Sequence, residues 1–157
     1  MEKSSASKKR ANEILLTGIV AGNVERIRQG IEMGADIERA GESGRTPLMH
    51  AVYNGKIGAA RFLLESGAKI EARDDFGYTP LKIALLLGHT DIATMLFENG
   101  ANLGTRDNEG NALEVGVNEN LRKEVGRWMS TKRQVERLGA KSSVDEIIEG
   151  LERDLRK

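Results

Sequence analysis

The sequence predicts an all-α solenoid of stacked helix–turn–helix units with β-turn and loop tips, closed by an extra C-terminal helical cap. Three observations carry that prediction. The frame G-x-T-P-L-x-x-A is spelled twice, as GRTPLMHA from Gly44 and as GYTPLKIA from Gly77, 33 residues apart. Two glycine ladders keep the same period, Gly22, Gly55 and Gly88, and Gly34, Gly67 and Gly100. Between the ladders lie GNVERIRQGIEMGADI, GKIGAARFLLESGAKI and GHTDIATMLFENGANL, each with apolar positions at helical spacing and a Gly-Ala ending. A fixed period of this length marks units that bury their apolar faces only by stacking.

The elements follow in chain order. Residues 1–10 read as a basic disordered tail. ANEILLTGIVAG opens a capping unit at 11–40, with Leu15, Gly18 and Ile19 in register with Leu48, Ala51 and Val52. Full units are expected at 41–73 and 74–106. In each, Thr46 or Thr79 is the N-cap, its hydroxyl accepting an orphan backbone N–H. Pro47 and Pro80 take the first helical position, where a missing N–H does no harm. Gly55 and Gly88 end the first helix and Gly67 and Gly100 the second, since glycine tolerates the positive φ of a helix stop.

The last unit, 107–138, is degenerate: GNALEVGVNEN keeps Gly110 and Leu113 but drops one residue and the proline. After it, LRKEVGRWMSTKRQVERL places Leu121, Val125, Trp128 and Met129 on one helical face. SSVDEIIEGLERDLRK then gives an amphipathic helix at 143–157, opened by a Ser143–Glu146 capping box and striped by Val144, Ile147, Ile148, Leu151 and Leu155. That stripe either packs on the final unit or pairs with a second copy, so a monomer or a weak dimer is expected.

This pattern resembles the ankyrin repeat, in period and in the T-P-L-x-x-A signature, over about residues 11–118. The sequence departs from the family in two ways. Histidine usually follows T-P-L and bonds neighbouring loops, whereas this chain has Met49 and Lys82. The aspartate that opens each loop is present as Asp74 and Asp107 but is Gly41 in the first full unit. Both departures predict weaker bonding between units around residues 41–50.

Composition narrows the function. Of 157 residues, 39% are hydrophobic and 31% charged, with 24 basic and 24 acidic side chains, as suits a soluble folded chain. The six aromatic residues leave the core to aliphatic side chains. The absence of cysteine excludes disulfides and thiolate metal sites and fits an intracellular location, the cytoplasm with the nucleus open. No apolar run reaches the ~18 residues of a membrane span, and the N-terminus has no signal-peptide core.

Catalytic and cofactor chemistry finds no support. There is no phosphate loop, no G-x-S-x-G and no H-E-x-x-H. His89 belongs to the Gly-His turn between helices, and His50 has no second ligand beside it. The acidic loop at Asp107, with Gly110 as its fixed glycine, fails the calcium-loop pattern because the position of the bidentate glutamate is Gly116, and Asp74 and Asp107 read as turn formers. No enzyme, cofactor, metal or small-molecule substrate is therefore expected.

The resemblance implies a protein-binding face made by loop tips and first helices. Position by position it falls on Glu42, Ser43, Arg45, His50, Tyr53 and Asn54, then on Arg73, Asp75, Phe76, Tyr78, Ile83, Leu86 and Leu87, then on Arg106, Asn108, Glu109 and Asn111. Exposed aromatics and arginines are the residue types that dominate interfaces. The alternative is nucleic-acid association through Lys8, Lys9, Arg10 and the basic stretch 122–137, containing Arg122, Lys123, Arg127, Lys132 and Arg133. Residues 119–137 carry six basic and three acidic side chains, but residues 11–118 carry ten against fifteen, which opposes that alternative.

Overall fold

The computed structural model describes residues 2–102 and 105–110, together with Lys123, Gly126, Arg127 and Ser130. Two compact units divide the chain, Met1–Gly116 and Val117–Lys157. In the second, the four described residues are helical. The degenerate unit beyond Gly110, Asn111 included, and the amphipathic helix at 143–157 otherwise lie outside the described residues.

Among the described residues the first unit has six α-helices: α1 (Glu2–Ala21), α2 (Val24–Glu32), α3 (Pro47–Tyr53), α4 (Ile57–Glu65), α5 (Pro80–Leu87) and α6 (Thr90–Glu98). They form three antiparallel pairs, and no strand occurs among the described residues. Helices α1, α3 and α5 neighbour one another in one layer, and α2, α4 and α6 in another. The core is written at the same period. Leu15, Leu48 and Leu81 form one fully buried row, and Ile19, Val52 and Leu85 a second; Leu63 and Leu96 face them from α4 and α6.

The threonine caps form as the sequence predicts. The Met49 N–H donates to Thr46 Oγ1 at 3.4 Å and the Lys82 N–H to Thr79 Oγ1 at 3.3 Å. The Gly-Ala endings are Schellman closures: the N–H groups of Ala68 and Ala101 reach back to the carbonyls of Leu63 and Leu96 at 2.9 and 3.0 Å. Both alanines are buried, so small size at that place is a packing requirement as well.

The N-terminus differs from expectation. Residues 1–10 were expected to be a disordered tail, but Glu2 to Arg10 continue α1 without a break. This stretch contains neither glycine nor proline. The turns from Ala11 onward are held by packing, so the polar turns before them only propagate an existing helix and avoid the cost of nucleation.

The capping pair also packs closer than its successors. A Cβ on Gly30 would lie 2.8 Å from the Leu15 nitrogen, and one on Gly18 would lie 2.9 Å from the Ile27 nitrogen. The full units carry Ala51 and Leu63, or Ala84 and Leu96, at these places.

Candidate protein-interaction face

The loop tips are joined by a periodic set of main-chain bonds. The Asp75 N–H donates to the Ser43 carbonyl at 3.0 Å, and 33 residues on the Asn108 N–H donates to the Phe76 carbonyl at 3.1 Å. The Asn108 side-chain amide adds a bond to the Asp75 carbonyl at 2.8 Å. Gly44 and Gly77 allow this approach. Each has positive φ, and a Cβ would fall 2.9 Å from the Asp75 nitrogen in one case and 2.7 Å from the Asn108 nitrogen in the other.

The loop aspartates organise the tips and are in turn held by cations. Asp74 Oδ1 accepts the N–H groups of Phe76 and Tyr78 at 3.0 and 2.8 Å, fixing both aromatic residues. Its Oδ2 lies 3.8 Å from Arg45 Nε. Asp107 Oδ2 lies 3.8 Å from Lys82 Nζ, both side chains being almost fully buried. Lys82 thus occupies the family's histidine position and still ties one unit to the next. Met49 cannot do so, and Arg45, four residues earlier, supplies the missing cation. At 3.8 Å the Arg45–Asp74 contact is an ion pair and not a hydrogen bond, and neither Arg45 Nε nor Asp74 Oδ2 has a hydrogen-bond partner among the described residues.

Several residues expected to contact a partner serve the fold. Arg73 Nη1 donates to the carbonyls of Gly77 and Arg106, at 3.1 and 2.6 Å. Arg106 Nη1 donates to the Gly110 carbonyl at 2.7 Å. Arg45 stacks over the Tyr53 ring with its guanidinium carbon 4.6 Å from the centroid. Asn54 Nδ2 donates to the His50 carbonyl at 2.7 Å, closing its own helix. Ile83 corrects the sequence reading: at 3% exposure it is a core residue and not part of the open surface.

His50 is half-buried, and its imidazole pKa lies below the ordinary value of 6.5. Burial is the main cause and the nearby Arg45 charge the second, with Glu42 opposing them.

Large apolar side chains of this face stand open to solvent. Tyr53 is 48% exposed, Phe76 53%, Leu86 39% and Leu87 44%. Phe76 and Tyr78 have ring centroids 5.9 Å apart, so they form one aromatic pair at the tip. Asp75, Asn108 and Glu109 are exposed beside them. Val20, which the sequence reading passed over, is exposed at 57%. It stands 33 residues before Tyr53, as Tyr53 stands before Leu86. Val20, Tyr53 and Leu86 are therefore an apolar row along three successive first helices, with Leu16 exposed beside it on α1. The 33-residue period was the signal that would have found Val20.

Lys8, Lys9 and Arg10 are exposed on α1, and Lys123 and Arg127 on the described part of the second unit. No group of three or more metal-ligating side chains occurs among the described residues, and no helix there is long and apolar enough to cross a membrane.

A family model for ankyrin repeats, in three copies, matches residues 12–107. The curated proteins contain no match to the chain.

Proposed function

We propose that this chain, which belongs to the ankyrin-repeat family, is a non-enzymatic interaction module that docks another protein on its loop tips and first helices. Ankyrin repeats are in general protein–protein interaction modules. An adaptor, a scaffold and a regulatory inhibitor all use a face of this kind, and the chemistry of recognition is common to the three.

The exposed row Val20–Tyr53–Leu86, continued by Leu87 and by the Phe76–Tyr78 pair, is the observation that carries the reading. These side chains do not complete the core, which is closed beneath them by Ile19, Val52 and Leu85. Burying one large apolar side chain is worth about 1.5–3 kcal/mol. Four or five together exceed the roughly 8 kcal/mol of micromolar binding only if the face needs little ordering. The backbone bonds between tips and the Arg73 and Arg106 staples supply that preorganisation.

The test is a comparison of partners captured by the unaltered chain and by a Phe76→Ala/Leu86→Ser variant shown by circular dichroism to be folded. Loss of specific partners supports the face. An unchanged set of partners discards it.

A further inference from the structure

The joint between the capping unit and the first full repeat is built differently from the next one. Asn12 is 5% exposed, and its Oδ1 accepts the Asp36 N–H at 2.8 Å, tying α1 to the loop after α2. Its Nδ2 is buried with no partner among the described residues. Asn12 lines a cavity of about 20 Å³ together with Leu16, Asp36, Gly41, Pro47 and His50. At the next joint the places of Asn12 and His50 belong to Arg45, which faces Asp74, and to Ile83, which is buried in the core. A space of this size holds one water and no larger ligand.

A buried amide donor without an acceptor loses its hydration uncompensated, so the site selects a partner for Nδ2. Neutral imidazole offers one acceptor nitrogen, and imidazolium offers none. A water that accepts from Asn12 and donates to His50 satisfies both groups only while His50 is neutral. We propose that this joint is a proton-operated latch. One water bridges Asn12 Nδ2 to the neutral His50 imidazole, and protonation of His50 breaks the bridge and loosens the capping unit from the first full repeat.

The surrounding charges agree with that polarity. Arg45 acts on His50 from the loop before α3 and opposes an imidazolium, and Arg39 lines the cavity from the capping unit. Glu42 is the opposing anion, and Asp36, which lines the cavity, has its Oδ1 already engaged by the Glu38 N–H at 3.0 Å. From α5 the only ionisable group is Lys82, which faces Asp107. Burial then decides the balance in favour of the neutral ring. The capping unit carries Val20, so release of the latch removes one end of the apolar row.

Amide hydrogen exchange on the full chain tests the latch, at pH 7.5 and 5.5 and corrected for intrinsic rates. The protection of α1 and α2 relative to α5 and α6 is expected to fall severalfold at the lower pH. In His50→Gln that ratio is expected to be independent of pH. In Asn12→Asp, whose carboxylate favours imidazolium, the His50 resonances should titrate at higher pH than in the unaltered chain. A ratio that stays constant in the unaltered chain, or that still falls in His50→Gln, overturns the proposal. If His50→Gln does not fold, the exchange ratio and the His50 titration of the unaltered chain still decide it.

Discussion

Lys82 Nζ and Asp107 Oδ2 stand 3.8 Å apart with both side chains nearly sealed from water, and one unit earlier Arg45 and Asp74 make the same closure at the same distance. The cation comes from a different position in each case. The frame reads Gly-Arg-Thr-Pro-Leu-Met in the first full unit and Gly-Tyr-Thr-Pro-Leu-Lys in the second. Each unit places one cation on the next unit's aspartate and uses the other position for an apolar or aromatic side chain.

Removing the cation alone takes the Lys82 charge away from the nearly sealed Asp107 carboxylate. Lys82→Met is therefore expected to destabilise the chain by about 3 kcal/mol, read from urea denaturation midpoints. Adding Tyr78→Arg to it recreates the Arg45–Met49 arrangement and should recover most of the loss. A double variant no more stable than Lys82→Met would show that the two positions are not interchangeable.

The glycines of the loop frame and of the helix ends share positive φ but differ in surroundings. A Cβ on Gly77 meets the Asn108 nitrogen at 2.7 Å, while one on Gly88 meets nothing within 4 Å. Gly88→Ala should cost about 1 kcal/mol, the backbone penalty alone. Gly77→Ala adds a clash with main chain that cannot move without breaking the Asn108–Phe76 bond. It should cost at least about twice as much, and equal costs would contradict the close-approach account.

Stability should also depend on His50. Its folded pKa is lowered from 6.5, chiefly by burial. The unfolded chain then binds the proton first as pH falls. Stability is full above about pH 6.5 and declines as pH drops from there through the lower folded value, then levels off with respect to this group. Denaturation midpoints measured between pH 7.5 and 5 should show that decline, and His50→Gln should flatten it. A decline of equal size in the variant would assign it to other groups.

The period made most of the architecture legible, because 33-residue spacing fixes which side chains share a row. Thr46 and Thr79, the Gly-Ala endings and the core rows were all readable from spacing alone. Ties that reach between units from flexible side chains were not. Glu38 Oε1 accepts the Lys69 N–H at 2.8 Å and Glu71 Oε1 accepts the Asn102 N–H at 2.7 Å, an identical bond made twice. In the sequence both are unremarked glutamates of a charged loop. Nor were the carbonyl bonds of Arg73 and Arg106 legible, since an arginine at a loop edge looks the same in sequence whether or not it reaches a carbonyl. Ile83 misled because its helix has apolar residues all round, so periodicity did not separate its buried face from its open one.

The apolar row makes its own prediction, because its members differ in how much the fold uses them. Arg45 lies on the Tyr53 ring and also faces Asp74, so Tyr53→Ala should lower both stability and partner binding. Val20 and Leu86 are exposed without such a tie in the structure. Val20→Ser and Leu86→Ser should each change stability by no more than about 0.5 kcal/mol. Each should weaken binding of a captured partner by about 1 kcal/mol or more, measured by isothermal titration calorimetry. If Leu86→Ser weakens binding and Val20→Ser does not, the contact ends at the first full repeat and the capping unit only supports it. If neither does, the row is solvent-facing surface and the tips alone, through Phe76 and Tyr78, make the contact.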